Sequence, residues 1–378
     1  MEFRFTKEQE ELREAVRQFA ETEAAQAVPD MERLDEFPSA LVKRIGRLGW
    51  MGIPVPERWG GAGRDFVSYI IAINELSKIS AAVGVILSVH TSVGTLPILH
   101  YGTDEQRDGC VRKLASGQWL GAFALTEPHA GSDAAAIRTT AQRQGDHYLL
   151  NGTKVFITNA GAANCYLTFA VTDPAAGSRG MTAFIVESGT QGLQVGKKEK
   201  KMGLHGSNTC ELIFEGVKVP ASQRLGKEGE GFSIAMGSLD GGRIGIGAQA
   251  LGIAQASLAL LERRFASGRG AVVRGNLRPH HVQLAELTAK TEAARLLVYR
   301  AAGLRQEGRP CTKEASMAKL FASDAAVEAA GAAVKLLGEQ GWTKEQPAER
   351  LFRDAKVTQI YEGTNEIHRI VISGQLLK

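Results

Sequence analysis

The hydrophobic periodicity of this chain changes twice, and that change restricts what it can fold into. Up to about residue 119 the apolar residues recur at helical spacing. Leu12, Val16 and Phe19 follow Thr6 and Gln9, whose separation of three predicts a capping box. A loop at Pro54, Pro56 and residues 60–63 precedes a second helix, predicted from about Asp65 through Ile70, Ile73 and Leu76. From about 120 to 222 short strand-like runs take over, at 146–157, 165–171, 181–186 and 211–220. Asn151-Gly152 inside the first of these predicts a tight hairpin turn. Beyond 223 the pattern is helical again, with long helices expected over 244–261, 284–304 and 314–337. Short strands without helical crossovers suit a small antiparallel barrel or sandwich, and long antiparallel helices suit a bundle. The expected fold is therefore α+β and multidomain: an N-terminal helical domain (1–119), a middle antiparallel β-barrel or sandwich (120–222) and a C-terminal four-helix bundle (223–378).

Composition narrows the function. The 378 residues carry 45 basic and 41 acidic side chains, well mixed, so no basic face for nucleic acid is expected. The four cysteines, Cys110, Cys165, Cys210 and Cys311, lie far apart and form no CxxC pair. That argues against structural zinc and a disulfide scaffold and for a reducing, cytoplasmic setting. No HExxH-type spacing is present, and no metal site is expected. The apolar stretch 81–99 is broken by Ser88, His90, Thr91, Ser92 and Pro97, so it reads as a buried helix and its connection rather than a membrane span. Residues 1–11 are mostly charged, unlike a signal or transit peptide.

The chemistry concentrates near the end. Glu362 sits beside Gly363 on a break that precedes a last helix, with Thr364 as its N-cap. A Glu at such a turn can project into a cavity, where desolvation raises its pKa towards that of a general base working near neutrality. Read locally, the plainer interpretation of Glu362 is a solvated loop carboxylate, with Thr364 an ordinary N-cap.

Five segments carry a resemblance: residues 123–133, with Thr126-Glu127-Pro128 and Gly131-Ser132-Asp133; 151–160, with Asn151-Gly152-Thr153-Lys154; 201–207; 239–245, with Asp240 and Arg243; and Tyr361-Glu362-Gly363-Thr364. In this order the chain resembles the acyl-CoA dehydrogenases along nearly its whole length, and its tail, 372–377, is most similar to the short-chain, butyryl-CoA branch. The resemblance implies flavin-dependent α,β-dehydrogenation of a short acyl thioester, on coenzyme A or an acyl-carrier protein. FAD would be the cofactor, electron-transfer flavoprotein the electron acceptor and a homotetramer the assembly. Glu362 stands at the position of the α-proton base. Branches that place the base between the Asp and Arg of the fourth segment would use residues 241 and 242, which here are both glycine. Phe123, Leu125, Thr126, Ser132, Phe156, Ile157 and Thr158 match flavin positions, as do Thr364 and Glu366. Ser132, Asp240, Arg243 and Gly363 match substrate positions, although Asp240 and Arg243, three apart on a helix, equally suit a plain ion pair.

Two segments that would serve FAD in a neighbouring subunit depart from the family pattern. Ser267 and Gly270 stand at usual FAD positions in the first, where Arg269, or Arg274, is the candidate replacement cation. In the second, Lys335 replaces a usual Gln and Glu339 a usual Gly. His129 and His205 also differ from the commoner Gly and Arg. These departures keep two further readings open: a flavin-poor family member with non-redox chemistry on an acyl thioester, and one subunit of a hetero-oligomeric dehydrogenase.

Overall fold

A computed structural model describes residues 4–267 and 279–377. Arg269, Gly270 and Arg274 lie outside the described residues. The first helix, Lys7–Phe19, begins at the expected capping box: Gln9 N donates to Thr6 Oγ1 at 3.3 Å and Thr6 N to Gln9 Oε1 at 3.0 Å. The Gln9 amide then donates to Asp65 Oδ2 at 2.8 Å, and Asp65 caps the next long helix, Phe66–Ile79, by accepting from Ser68 N. That second helix is buried nearly all round, which its almost unbroken apolar run requires. Residues 81–101 continue as helix Ala81–Val89, a π-helical turn His90–Thr95 and helix Leu96–Tyr101. Two windows, Ala81–Tyr101 and Gly231–Ala266, are long and apolar enough to cross a membrane, but they are 94% and 83% buried inside the protein.

The middle of the chain is one sheet: β1 Gly121–Ala124, β2 Thr140–Gln144, β3 His147–Thr158, β4 Cys165–Val171, β5 Met181–Glu187, β6 Leu193–Lys198, β7 Thr209–Pro220 and β8 Arg224–Leu225. The order is β6-β7-β3-β2-β4-β5-β8, with β1 added beside β4. Most pairings are antiparallel, as expected, while β1/β4 and β2/β4 run parallel. The expected turn at Asn151-Gly152 is corrected: β3 runs straight through it. The β2–β3 hairpin turns at Gly145 instead, where φ is +61°. Gly152 serves close approach, because a Cβ there would lie 2.5 Å from Thr139 Oγ1. Asn151 accepts the Gly216 N–H at 2.7 Å, bracing the bulge opposite β7.

Of the C-terminal helices, Gly231–Ser267 and Pro279–Gln306 extend beyond the expected spans, while Thr312–Leu336 starts two residues earlier and ends one residue earlier than expected. Glycines let the first of them approach its neighbours closely. A Cβ at Gly245 would meet Ser88 Oγ at 2.3 Å, and one at Gly252 would meet Ser77 Cβ at 2.7 Å. One apolar core therefore runs from Leu12 to Ala355 through both helical regions, and a second fills the sheet around Tyr148, Phe184 and Phe214. Helices Ala348–Val357 and Asn365–Leu376 pack on Thr312–Leu336 and leave the turn containing Glu362 between them.

Candidate active site

The turn that carries Glu362 is tied down from three sides. Gln359 Nε2 and Asn365 Nδ2 both donate to Asp324 Oδ1, at 2.6 and 2.8 Å, and Asn365 Nδ2 also reaches Ser323 Oγ at 2.9 Å. The ammonium of Lys319, itself fully buried, donates to Gly363 O at 2.7 Å and Asn365 Oδ1 at 3.0 Å. Tyr361 Oη donates to Gln249 Oε1, and Gln249 in turn donates to Ala81 O at 2.8 Å. So anchored, Glu362 holds φ at +54°, a left-handed conformation that a glutamate adopts only when its surroundings over-determine it. Gly363 follows at φ +94°, and Thr364 caps the last helix through Ile367 N at 3.4 Å.

This geometry drives the Glu362 carboxylate against the Gly231–Ser267 helix. A Cβ at Gly242 would lie 2.6 Å from Glu362 Oε2 and 2.8 Å from its Cδ, so the carboxylate occupies the space left by the missing side chain. Oε2 is closed off from solvent and has no hydrogen-bond partner. An unpartnered buried carboxylate oxygen is costly unless it has work to do. Burial pushes the Glu362 pKa up to about 7, against the opposing pull of Arg243 and Lys319. Burial also pushes Lys319 down to about 7, opposed first by the Glu362 charge. His368 is buried beneath the turn with neither ring nitrogen partnered, and burial with the two nearby cations lowers it to about 3.

Asp240 and Arg243 lie beside this site and form the intrahelical pair, 2.9 Å from Arg243 Nη1 to Asp240 Oδ1, with Thr312 Oγ1 on Asp240 Oδ2 at 2.6 Å. Arg243 Nε stays buried without a partner. Thr364 is half-buried and Glu366 exposed, so of the last helix's two predicted cofactor contacts only Thr364 faces partly inward.

A second group gathers on the sheet. Lys154 and Ile157 face Leu212 and Cys210 across a β3/β7 bulge, which leaves Phe156 with φ +58° and 61% exposed beside the half-buried Thr158. A bulky aromatic held out in that conformation is a ledge suited to a flat ring. The neighbouring loop is tied in, since Val155 N donates to Thr126 O at 2.9 Å. Beneath it, buried Lys154 donates to Leu125 O at 2.9 Å and Glu127 Oε1 at 2.8 Å, while Glu127 accepts from Arg138 N and Thr139 N. Burial lowers Lys154 to about 8, with Glu127 pulling the other way. Thr126 is half-buried and Ser132 exposed at this loop. Leu125 and Ile157 are buried in the two cores, and Phe123 packs on Phe169 with ring centroids 4.9 Å apart. The exposed Phe156 and the polar Thr126 and Thr158 around it fit the ring of a flavin. No hydrogen bond or ion pair joins this group to the Glu362 group among the described residues. Between them, the π-helical segment His90–Thr95 packs on β1 and on the Gly231–Ser267 helix: Gly94 lies on Gly121, His90 Nδ1 accepts Gly121 N at 3.0 Å, and Ser88, at the end of the preceding helix, meets Gly245.

Lys335 and Glu339 are both exposed, with Gly338 between them at φ +63°. A Cβ at Gly341 would fall 2.0 Å from Val334 O, so this turn needs its glycine. Sequence reasoning missed Lys319, His368 and Lys154. Two of them left a signal. Lys319 interrupts the buried stripe Ala315, Ala318, Ala322, and Lys154 occupies the inward phase of β3 after Tyr148 and Leu150.

The chain matches three family models: "Acyl-CoA dehydrogenase, N-terminal domain" over residues 6–118, "middle domain" over 122–217 and "C-terminal domain" over 229–377. It is 58% identical over 376 residues to an acyl-CoA dehydrogenase of Bacillus subtilis, covering 98% of both chains. The solved butyryl-CoA dehydrogenase of Megasphaera elsdenii superposes with a TM-score of 0.95 at 44% identity, covering 100% of each chain. A chain in a solved structure of the electron transferring flavoprotein of Acidaminococcus fermentans gives 0.96 at 46%, again over 100% of each.

Proposed function

This chain belongs to the acyl-CoA dehydrogenase family, and within that family we propose that it removes two hydrogens across the α and β carbons of a short acyl thioester, with Glu362 as the base for the α proton. The observation that carries the reading is the Glu362 carboxylate, locked in a left-handed turn, unpartnered at Oε2 and pressed into the gap left by Gly242. Residues 241 and 242 carry no rival carboxylate. A base needs a pKa near the working pH, and burial brings Glu362 to about 7. Arg243 and Lys319 favour its charged, proton-accepting form. Gly363 keeps the space beside the carboxylate free of side chain.

Phe156, Thr126 and Thr158 are the residues we assign to holding the ring of FAD, with Phe123, Leu125, Ser132, Ile157 and Thr364 around it. When bound, FAD supplies the acceptor for the hydrogen that leaves the β carbon. Asp240 and Arg243 would orient the thioester, Arg243 through its unpartnered Nε. The likeness to butyryl-CoA dehydrogenase supports a short acyl chain, and the likeness to a chain in an electron transferring flavoprotein structure supports such a flavoprotein as electron acceptor. We assign the working form to a homotetramer in the cytoplasm.

The test is turnover of a four-carbon acyl-CoA by wild type and Glu362→Gln, with the visible flavin spectrum recorded for both. Amide and acid are nearly isosteric, so the variant should keep its flavin and lose activity by about 10²–10⁴ or more. Near-normal turnover in the variant removes Glu362 from the base position. A colourless wild type without dehydrogenation favours the non-redox alternative.

A further inference from the structure

A lysine whose ammonium is fully buried normally sits against a carboxylate, since an uncompensated buried charge is expensive. Lys319 does not: its two acceptors, Gly363 O and Asn365 Oδ1, are both neutral. Several charged or titratable groups face it: Asp324 on its own helix, Arg243 on the Gly231–Ser267 helix, Glu366 and His368 on the last helix, and Glu362 on the turn. Tyr69, on Phe66–Ile79, and Tyr361, on the turn, face Glu362. Of the anions, Asp324 has its side chain 45% exposed and is shared with Arg369, Gln359 and Asn365, while Glu366 is 78% exposed. Glu362 is the remaining one, and its Oε2 is buried and unpartnered. His368, buried with no ring nitrogen partnered, adds no balancing charge.

We infer that Lys319 is the positioning residue of the base: it clamps the turn through the carbonyl of Gly363 and serves as the buried counter-ion of the Glu362 carboxylate. The inference rests on the reading of Glu362 as the base. The clamp acts on the residue next to Glu362 and so fixes the left-handed conformation that aims the carboxylate at Gly242. The charge favours the ionised form, which is the form that accepts a proton.

The test compares Lys319→Met, Lys319→Gln and Lys319→Arg with wild type and Glu362→Gln. The readouts are the pH profile of kcat/KM, the separate kcat and KM values, and the infrared carboxyl stretch that disappears in Glu362→Gln, followed against pH without turnover. Losing the Lys319 cation removes part of what favours the carboxylate, Arg243 remaining, so Met and Gln should move the acid limb and the infrared midpoint to higher pH by about one unit. They should lower kcat about 10–100-fold with KM largely held. Arg, which keeps the charge, should return the midpoint towards wild type. A midpoint unmoved in Met and Gln overturns the inference even if kcat falls, and so does failure of both to fold, since that marks a purely structural lysine. If Glu362→Gln stays active, the base assignment itself falls. If only the Lys319 variants leave the midpoint in place, this inference falls alone.

Discussion

At position 242 a missing side chain does as much as any present one. Because a Cβ there would reach 2.6 Å from Glu362 Oε2, Gly242→Ala should displace the carboxylate rather than the backbone, the obstructing atom being the end of a side chain. Alanine favours helix over glycine by about 1 kcal/mol, so the fold should stand and the melting temperature should hold or rise. Activity should fall about tenfold to a hundredfold, as expected when a reacting group is misplaced by about 1 Å. Full activity in Gly242→Ala would show that Glu362 does not need this seat. At this scale Glu362 was legible as a turn carboxylate, because a glycine and an N-cap flank it in sequence. What holds it was not: Lys319 lies 43 positions before Glu362, and only the packing of Thr312–Leu336 under the turn brings its ammonium to Gly363. Asp240 and Arg243 were legible as a pair: the ion pair forms, and the buried Arg243 Nε left without a partner is what supports the proposal that they also contact the substrate.

Among the elements, the Gly231–Ser267 helix decides how closely the two helical regions pack. Gly252 faces the Phe66–Ile79 helix, where an added Cβ would meet Ser77 Cβ at 2.7 Å and Asn74 O at 2.8 Å. Backbone stands in the way here, so Gly252→Ala should separate the helices. Overpacking of this kind costs about 1–3 kcal/mol, which outweighs the roughly 1 kcal/mol gained in helix propensity. The urea midpoint should fall, and a variant as stable as wild type would contradict the close approach. The contrast with Gly242 is the useful part: the same substitution on the same helix should cost activity at one position and stability at the other. Element types were legible because a period of two and a period of 3.6 look different in sequence. The Asn151-Gly152 turn failed because a glycine in a strand signals either a turn or a close neighbour, and Thr139, which makes it the latter, is brought there only by the sheet. The parallel pairings of β1 and β2 with β4 depend on the same long-range assembly.

Across the whole molecule, His90 joins the first helical region to the sheet through Gly121 N and is fully buried, and burial lowers its pKa to about 4. Unfolding restores an ordinary imidazole near 6.5, so between those values the unfolded chain binds a proton that the folded one refuses. This contribution to stability is present above about 6.5 and is lost as the pH falls towards 4. His90→Asn should be less stable than wild type near neutrality. The gap should then close by about 1.4 kcal/mol per pH unit below 6.5, measured by denaturation across pH. A gap independent of pH would show that His90 is not held neutral. The same segment packs on both the sheet and the Gly231–Ser267 helix that seats Glu362, so the proposed chemistry depends on the assembled molecule. The central claim is that Glu362 takes the α proton. Its most direct measurement is exchange of the α hydrogen of a four-carbon acyl-CoA with deuterium oxide, in wild type and Glu362→Gln. The account predicts exchange in wild type that rises with pH through about 7, the value to which burial brings Glu362, and loss of that exchange in the variant. Equal exchange in the two proteins would contradict it.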